Sequence, residues 1–252
     1  MQVFVISLAQ REDRRRHIRQ HLAERGVAFD FADAVDGRAL ADADRARLYD
    51  PALARQRGER RTLTPGELGC SLSHLALYRR MLEQDLPAIC VLEDDAELSP
   101  DFAEVLAALA PALKADATPR VVLLNRRAKR YSAWGAAALA AGRRRCRAVE
   151  AQGTDGYVLN RAAAQSLLQT LSPVWTVADC WDWLLARHTL RIDCVVPYVV
   201  SCRDDLVSDI DADRRDRGKL APGPLARLSD FLYSRFVYRL LIRPLYRIGK
   251  QR

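Results

Sequence analysis

No two of the six cysteines show a CxxC spacing, so neither a zinc ribbon nor a redox dithiol is written into this chain. Cys90 and Cys194 sit inside apolar runs, and the set reads as buried free thiols rather than disulfide staples. No apolar run approaches the ~20 residues of a bilayer-spanning helix. The first residues, MQVFVISLAQRED, lack the basic start and cleavage site of a secretory leader, so the mature chain is expected in the cytoplasm. Aromatic residues are scarce at 7%, and acids are missing from two stretches. Residues 231–252 hold six Lys or Arg and residues 117–149 hold nine, neither with an acid, so the overall charge of +8 is regional and the rest of the chain is net acidic. With few aromatics and no recognition motif beside the basic runs, no nucleic-acid partner is expected. Of the four histidines, His17 and His21 have the spacing of a metal pair but lie among Arg15, Arg16 and Arg19, which reads as a solvated helix face.

What is present is an alternating α/β pattern. A chain of 252 residues with 49% apolar composition supports one sizeable core. Strands are predicted at Val3–Leu8, Val27–Ala34, Ala88–Leu92, Val121–Asn125 and Arg191–Val196, and residues 153–159 read as a tight turn entering a further strand. Helices are predicted over 11–25, from Thr64 to about Gln84, over 100–114, from Asn160 to about Leu171 and over 179–188. Thr64-Pro65-Gly66-Glu67 is a capping box with proline at the first helical position. Residues 40–61 are polar and irregular, as in an insertion.

The run VLEDDAE, residues 91–97, places three adjacent acids at the end of a strand. Strand alternation would point Glu93 and Asp95 to one side and Asp94 to the other. An acid-x-acid pair at the carboxyl end of a strand in an α/β sheet suits Mg2+ or Mn2+ completed by substrate phosphates. The acids could equally serve the N-terminus of the helix that Ser99-Pro100 begins. The C-terminal stretch is basic and apolar-rich, with Arg235, Arg239, Arg243 and Arg247, and suits either an anionic membrane surface or a last helix packed on the domain.

Five stretches, in order over about residues 1 to 210, resemble glycosyltransferase family 25, the lipooligosaccharide-type sugar transferases. They are Val5-Ile6-Ser7-Leu8 with Asp13-Arg14-Arg15, FDFADAVDG at 29–37, LTPGELGCSLSH at 63–74, VLEDD at 91–95 and GTDGY at 153–157. The resemblance implies an α/β, GT-A-like nucleotide-diphosphosugar transferase fold, with a mainly parallel central sheet flanked by helices. It also implies a UDP-sugar donor, often UDP-galactose, Mn2+ or Mg2+, and inverting transfer of a hexose to a hydroxyl of lipooligosaccharide, lipopolysaccharide or another surface glycan. Glu93 and Asp95 match the family's acidic motif as metal ligands, with Asp95 the more direct one; Asp94 would orient the sugar or ribose. Ser7, Leu8, Arg14, His74 and Thr154 fall where the donor would lie. Asp179 matches the family's late acid and is the first choice of base, ahead of Asp155 and Asp182. The sequence departs from the family at Val177-Ala178-Asp179, where Pro-Val-Asp is common, and over 126–147.

The expected organisation is a catalytic domain over 1–212 and a basic tail over 213–252. A glycolipid acceptor would place the protein peripherally at the inner face of the cytoplasmic membrane. Two rivals are a metal-dependent phosphoesterase, which would need no acceptor, and a non-catalytic glycan- or membrane-binding module.

Overall fold

The computed structural model describes residues 1–59, 61–202, 243–245 and 247–251. The chain opens with β1 (Gln2–Ser7), α1 (Glu12–Ala23) and β2 (Asp30–Asp33), a β-α-β unit in which the two strands pair in parallel. Two short helices follow, α2 (Asp42–Leu48) and α3 (Pro51–Gln56), in the region expected to be irregular. Helix α4 spans Pro65–Glu83 and leads into β3 (Ala88–Glu93) and β4 (Ala96–Leu98). Next come α5 (Phe102–Ala115), β5 (Arg120–Leu123), and a hairpin of β6 (Arg130–Ala138) and β7 (Arg144–Glu150). The chain continues through β8 (Gly156–Asn160), α6 (Arg161–Leu171), α7 (Trp181–Arg187), β9 (Arg191–Val196) and β10 (Val200–Cys202), and β11 (Ile248–Lys250) lies near its end.

Nine strands form one sheet in the order β11-β6-β7-β9-β5-β8-β3-β1-β2, and β10 pairs with β4 beside it. Pairing is parallel for β1–β2, β1–β3 and β5–β9 and antiparallel in the other contacts, so the helix-flanked sheet is mixed. The α/β class stands, with a mixed sheet; two of its three parallel pairings involve β1, which ends beside β3.

The central strands read as unbroken apolar runs because both faces of the sheet are covered. In β3, Ile89 and Val91 face a core shared with Leu72, Leu75 and Met81 of α4. Ala88, Cys90 and Leu92 face the opposite core, against Ile18 and Leu22 of α1 and Phe102, Val105 and Leu109 of α5. Each fully buried Leu or Phe contributes about 1.5–3 kcal/mol from the water it sheds.

Helix α4 starts where its sequence dictates. The Thr64 hydroxyl accepts from Glu67 N at 3.2 Å and the Glu67 carboxylate accepts from Thr64 N at 2.9 Å. Arg61 clamps that carboxylate with two bonds of 2.6 Å. The first two turns of α4 press on the loop after β2: a Cβ at Gly69 would lie 2.5 Å from Val35 O and 2.6 Å from Gly37 N. Only glycine permits this approach.

No disulfide joins the six cysteines. His17 and His21 are not a solvated pair; both reach Glu97 on β4, at 3.1 and 3.0 Å, which ties α1 to that strand. Among the described residues no helix is long and apolar enough to cross a membrane. Of the expected tail over 213–252, residues 213–242 lie outside the described residues, whereas β11 closes one sheet edge against β6 and the Gln251 amide donates to Ala128 O at 3.2 Å.

Candidate active site

The parallel pairing of β1 and β3 sets Ile6 beside Glu93, so both strands end at one place. Beyond Glu93 the chain leaves strand geometry, and Asp94-Asp95 form a tight turn into β4. Strand alternation therefore does not govern these acids; the turn does. Asp94 is fixed on both oxygens: Ser7 Oγ donates to Oδ2 at 2.7 Å and Arg14 Nη1 donates to Oδ1 at 3.2 Å. Burial raises the Asp94 carboxyl above its usual range, partly offset by these two donors.

Asp95 is left facing other acids. Its Oδ1 is buried and makes no hydrogen bond, and the nearest cation, Arg14 Nη1, stands 4.0 Å from Oδ2. Burial first, then the charges of Glu93, Asp155 and Asp94, pushes its carboxyl up to about 7. Asp155 is pushed up to about 6 by burial and by Glu93, with Arg127 opposing. Its Oδ2 also lacks a hydrogen bond, lying 3.6 Å from Arg127 Nε.

Glu93 differs. Burial would raise its carboxyl, but interaction with His74, the hydrogen bond from Thr154 Oγ1 and the charge of Arg127 outweigh that and lower it. Its Oε1 lies 3.6 Å from His74 Nε2. His74 is buried on α4, with Nδ1 2.7 Å from Tyr157 OH, which in turn bonds Tyr78 OH at 2.7 Å. The result is a set of carboxylate oxygens partly uncompensated in a buried place. That donor set fits a hard divalent cation, which would remove the mutual repulsion.

The loop before β8 is held from below. Gly153, at φ +76°, has no room for a Cβ beside Arg127, Asp155 and Asn125. Its carbonyl accepts from Trp181 Nε1 at 2.8 Å and Asn125 Nδ2 at 3.1 Å, and its N–H donates to Asp179 Oδ2 at 3.1 Å. Thr154 and Asp155 are thereby aimed at Glu93, whose own N–H donates to Asp155 O at 3.1 Å.

A cavity of about 150 Å³ opens on this cluster. It is bounded by the end of β1 with Ser7 and Leu8, by Arg11 and Arg14, by residues 34–38 after β2, and by Gly66, Cys70, Ser73 and His74 along one face of α4. A larger cleft of about 990 Å³ lies across β6, β7 and β9, away from the acids.

Of the residues singled out from sequence, Ser7, Leu8, Arg14, His74, Glu93, Asp94 and Asp95 line the cavity, and Thr154 and Asp155 adjoin it through Glu93. Asp179 stands behind Gly153, close enough for its charge to raise Asp155. Asp182 is exposed on α7 and accepts from Ala151 N at 2.9 Å, supporting the loop from the far side. Sequence reasoning passed over Cys70, Arg127, Tyr78 and Tyr157. Two of them left a signal: Cys70 by its four-residue spacing from His74 within the LTPGELGCSLSH stretch, and Tyr157 as the last residue of the GTDGY stretch.

Comparison with known proteins bears on the same region. Residues 1–135, just over half of the chain, match the sequence profile described as glycosyltransferase family 25 (LPS biosynthesis protein). A probable inactive glycosyltransferase 25 family member 3 from Bos taurus is 36% identical over 120 residues, 47% of this chain and 20% of that protein. A putative glycosyltransferase from Haemophilus influenzae is 33% identical over 103 residues, 41% of this chain and 35% of that protein. Procollagen galactosyltransferase 2 from Homo sapiens is 33% identical over 107 residues, 42% of this chain and 17% of that protein. The chain thus aligns to about a third or less of the length of each of these relatives. The profile match takes in β1, the start of α4 and the acidic turn, the elements that build the cavity, and the chain belongs to glycosyltransferase family 25.

Proposed function

We propose that the protein is an inverting, metal-dependent hexosyltransferase that carries a sugar, galactose first, from a UDP-sugar to a hydroxyl of a lipooligosaccharide, lipopolysaccharide or other surface glycan. The observation that carries this reading is Asp95: a half-buried carboxylate whose Oδ1 is buried and unbonded, crowded by Glu93 and Asp155 at the mouth of an arginine-lined cavity.

Glu93 and Asp95 would hold Mn2+ or Mg2+, with Thr154 fixing the Glu93 carboxylate. When bound, the cation would neutralise the diphosphate that departs from the sugar. Arg14 and Arg11 suit the phosphates by charge, and Ser7, Leu8 and His74 frame the nucleotide side. Asp94, held by Ser7 and Arg14, would present its position to the ribose or sugar without swinging toward the cation. The cavity is smaller than the ~300–1,000 Å³ of common ligand sites, so it can enclose only part of a nucleotide sugar. Inversion in one displacement needs a base for the acceptor hydroxyl. Asp179 is proposed for it, being half-buried, oriented by Gly153 N–H and next to the acid cluster. Asp155 is too deeply buried to meet an acceptor, and Asp182 serves Ala151. The basic composition of 231–252 favours an acceptor at the inner membrane face, and cosedimentation with anionic vesicles, with and without Arg235 and Arg239 changed to Ser, tests that location.

The experiment is a panel of UDP-, GDP- and CMP-sugars assayed for binding and slow hydrolysis with and without Mn2+, on wild type and Asp95→Asn. Metal-dependent recognition of one UDP-hexose, lost in the variant, supports the transferase. A protein that binds no nucleotide sugar favours a second reading, a family member that has kept the fold without turnover. That reading draws on the relative named probable inactive.

A further inference from the structure

Cys70, His74 and Glu93 form a second donor set of different chemistry. One ligand atom from each, a thiol sulfur, an imidazole nitrogen and a carboxylate oxygen, lies within 4.8 Å of the others. Cys70 and His74 are four residues apart on α4 and so share a helix face. Glu93 reaches them from the end of β3. The observation that points to a ligand is His74: the ring is 2% exposed, and Nε2 makes no hydrogen bond although it is aimed at Glu93 Oε1, 3.6 Å away.

The other ring nitrogen is engaged as a metal-binding histidine requires. Nδ1 is held by Tyr157 OH at 2.7 Å, and Tyr157 is held by Tyr78. A partner at one imidazole nitrogen fixes the ring so that the other can bind a metal. A tetrahedral ion with ligands at ~2.0–2.3 Å sets its donor atoms roughly 3.3–3.8 Å apart. The His74–Glu93 separation already has that value, and side-chain adjustment of about an ångström brings in the sulfur.

We propose that Cys70, His74 and Glu93 form a binding site for a borderline-soft divalent ion of the Zn2+ and Co2+ class. It is distinct from the hard-ion site proposed at Asp95. Thiolate and imidazole select against Mg2+ and Mn2+. Cys70 and His74 both line the cavity, so an ion can enter there and its fourth position opens on the same space, as in zinc sites with three protein ligands. Such an ion takes Glu93 Oε1, the oxygen that Thr154 otherwise holds. On the reading of Glu93 given above, it competes with the donor's cation for that carboxylate; the binding itself does not depend on that reading.

The test is titration of metal-free, tag-free protein with Co2+, read as the near-ultraviolet thiolate-to-cobalt band, followed by displacement with Zn2+. One equivalent is expected to bind with a thiolate band that Zn2+ abolishes. Cys70→Ser loses the band, while Asp95→Asn and Cys202→Ser keep it. Because Cys70 is only half-buried, its serine variant is the deciding one, with circular dichroism and the melting temperature confirming the fold. His74→Gln, which also gives up the Tyr157 bond, is a second loss variant. Absence of a thiolate band, its survival in Cys70→Ser, or its loss in Asp95→Asn overturns the site. Failure of the sugar-nucleotide panel leaves this outcome unaffected, so the two proposals fail separately.

Discussion

Ser7 Oγ, at the end of β1, donates a 2.7 Å hydrogen bond to Asp94 Oδ2, 87 residues away in the turn after β3. Both residues are buried, and the bond joins the first strand to the acidic turn. Ser7→Ala leaves a buried carboxylate one donor short, with Arg14 as its remaining side-chain donor. A loss of ~1–3 kcal/mol in unfolding free energy is expected. Urea denaturation measures it, and a midpoint equal to wild type would show that the bond contributes nothing.

Gly69→Ala addresses the packing that shapes the cavity. The added methyl would meet Val35 O and Gly37 N at 2.5 and 2.6 Å, both backbone atoms that cannot rotate away. Either α4 or the loop after β2 must shift, at a cost of ~1–3 kcal/mol. Thermal unfolding is expected at a lower temperature, together with weaker nucleotide binding, because residues 34–38 form one wall of the cavity. A variant as stable as wild type would mean that the contact gives way freely.

What was legible in the sequence was local or two-sided. The start of α4 was readable because Thr64 and Glu67 satisfy each other within four residues, and β3 because burial on both faces makes every residue apolar. Asn160 was readable as a cap for the same local reason; its Oδ1 accepts from Ala163 N at 2.9 Å. The β6–β7 hairpin was not, because Arg144, Arg145 and Arg147 surround the inward Cys146 and Ala148 and the segment reads as merely basic. Insertion of β8 antiparallel between β3 and β5 rests on pairings over thirty residues or more apart, which no local pattern encodes. At the site, the acids were visible as a cluster. Their division of labour was not, because it depends on a turn that begins two residues earlier than alternation assumed, and on Ser7, Arg14 and Thr154 arriving from other elements. The Glu97 link to His17 and His21 was hidden the same way.

The raised carboxyl of Asp95 gives a pH dependence of definite sign. In the unfolded chain an aspartate titrates at 3.8, whereas Asp95 in the folded, ion-free protein titrates at about 7. Between those values the folded state holds the extra proton, so its stability from this group falls as pH rises and the loss is complete above about 7. Asp155, pushed up to about 6 by burial and by the charge of Glu93, acts in the same direction. Asp95→Asn cannot ionise. In chelator-treated protein, its stability relative to wild type is therefore expected to increase from pH 5 to pH 8. Added Mn2+ should reverse the order at the upper end, since only the wild type offers the carboxylate. Parallel stability curves for the two proteins would refute the assignment.

Asp179 and Asp182 both accept from backbone N–H groups of the loop before β8, yet they stand in different surroundings. Asp179 adjoins Asp155 and the acid cluster, while Asp182 faces solvent on α7. If Asp179 takes the acceptor proton, Asp179→Asn keeps the oxygen that receives Gly153 N–H but removes the base. The turnover rate should then fall by ~10²–10⁴-fold while the affinity for the UDP-sugar and Mn2+ stays near wild type. Asp182→Asn likewise keeps its bond to Ala151 N and should lose no more than a few-fold, roughly the effect of a surface change. Steady-state kinetics with saturating donor and varied acceptor separate the two. A similar loss in both variants would mean that these aspartates act only by holding the loop, and Asp179 would no longer stand as the base.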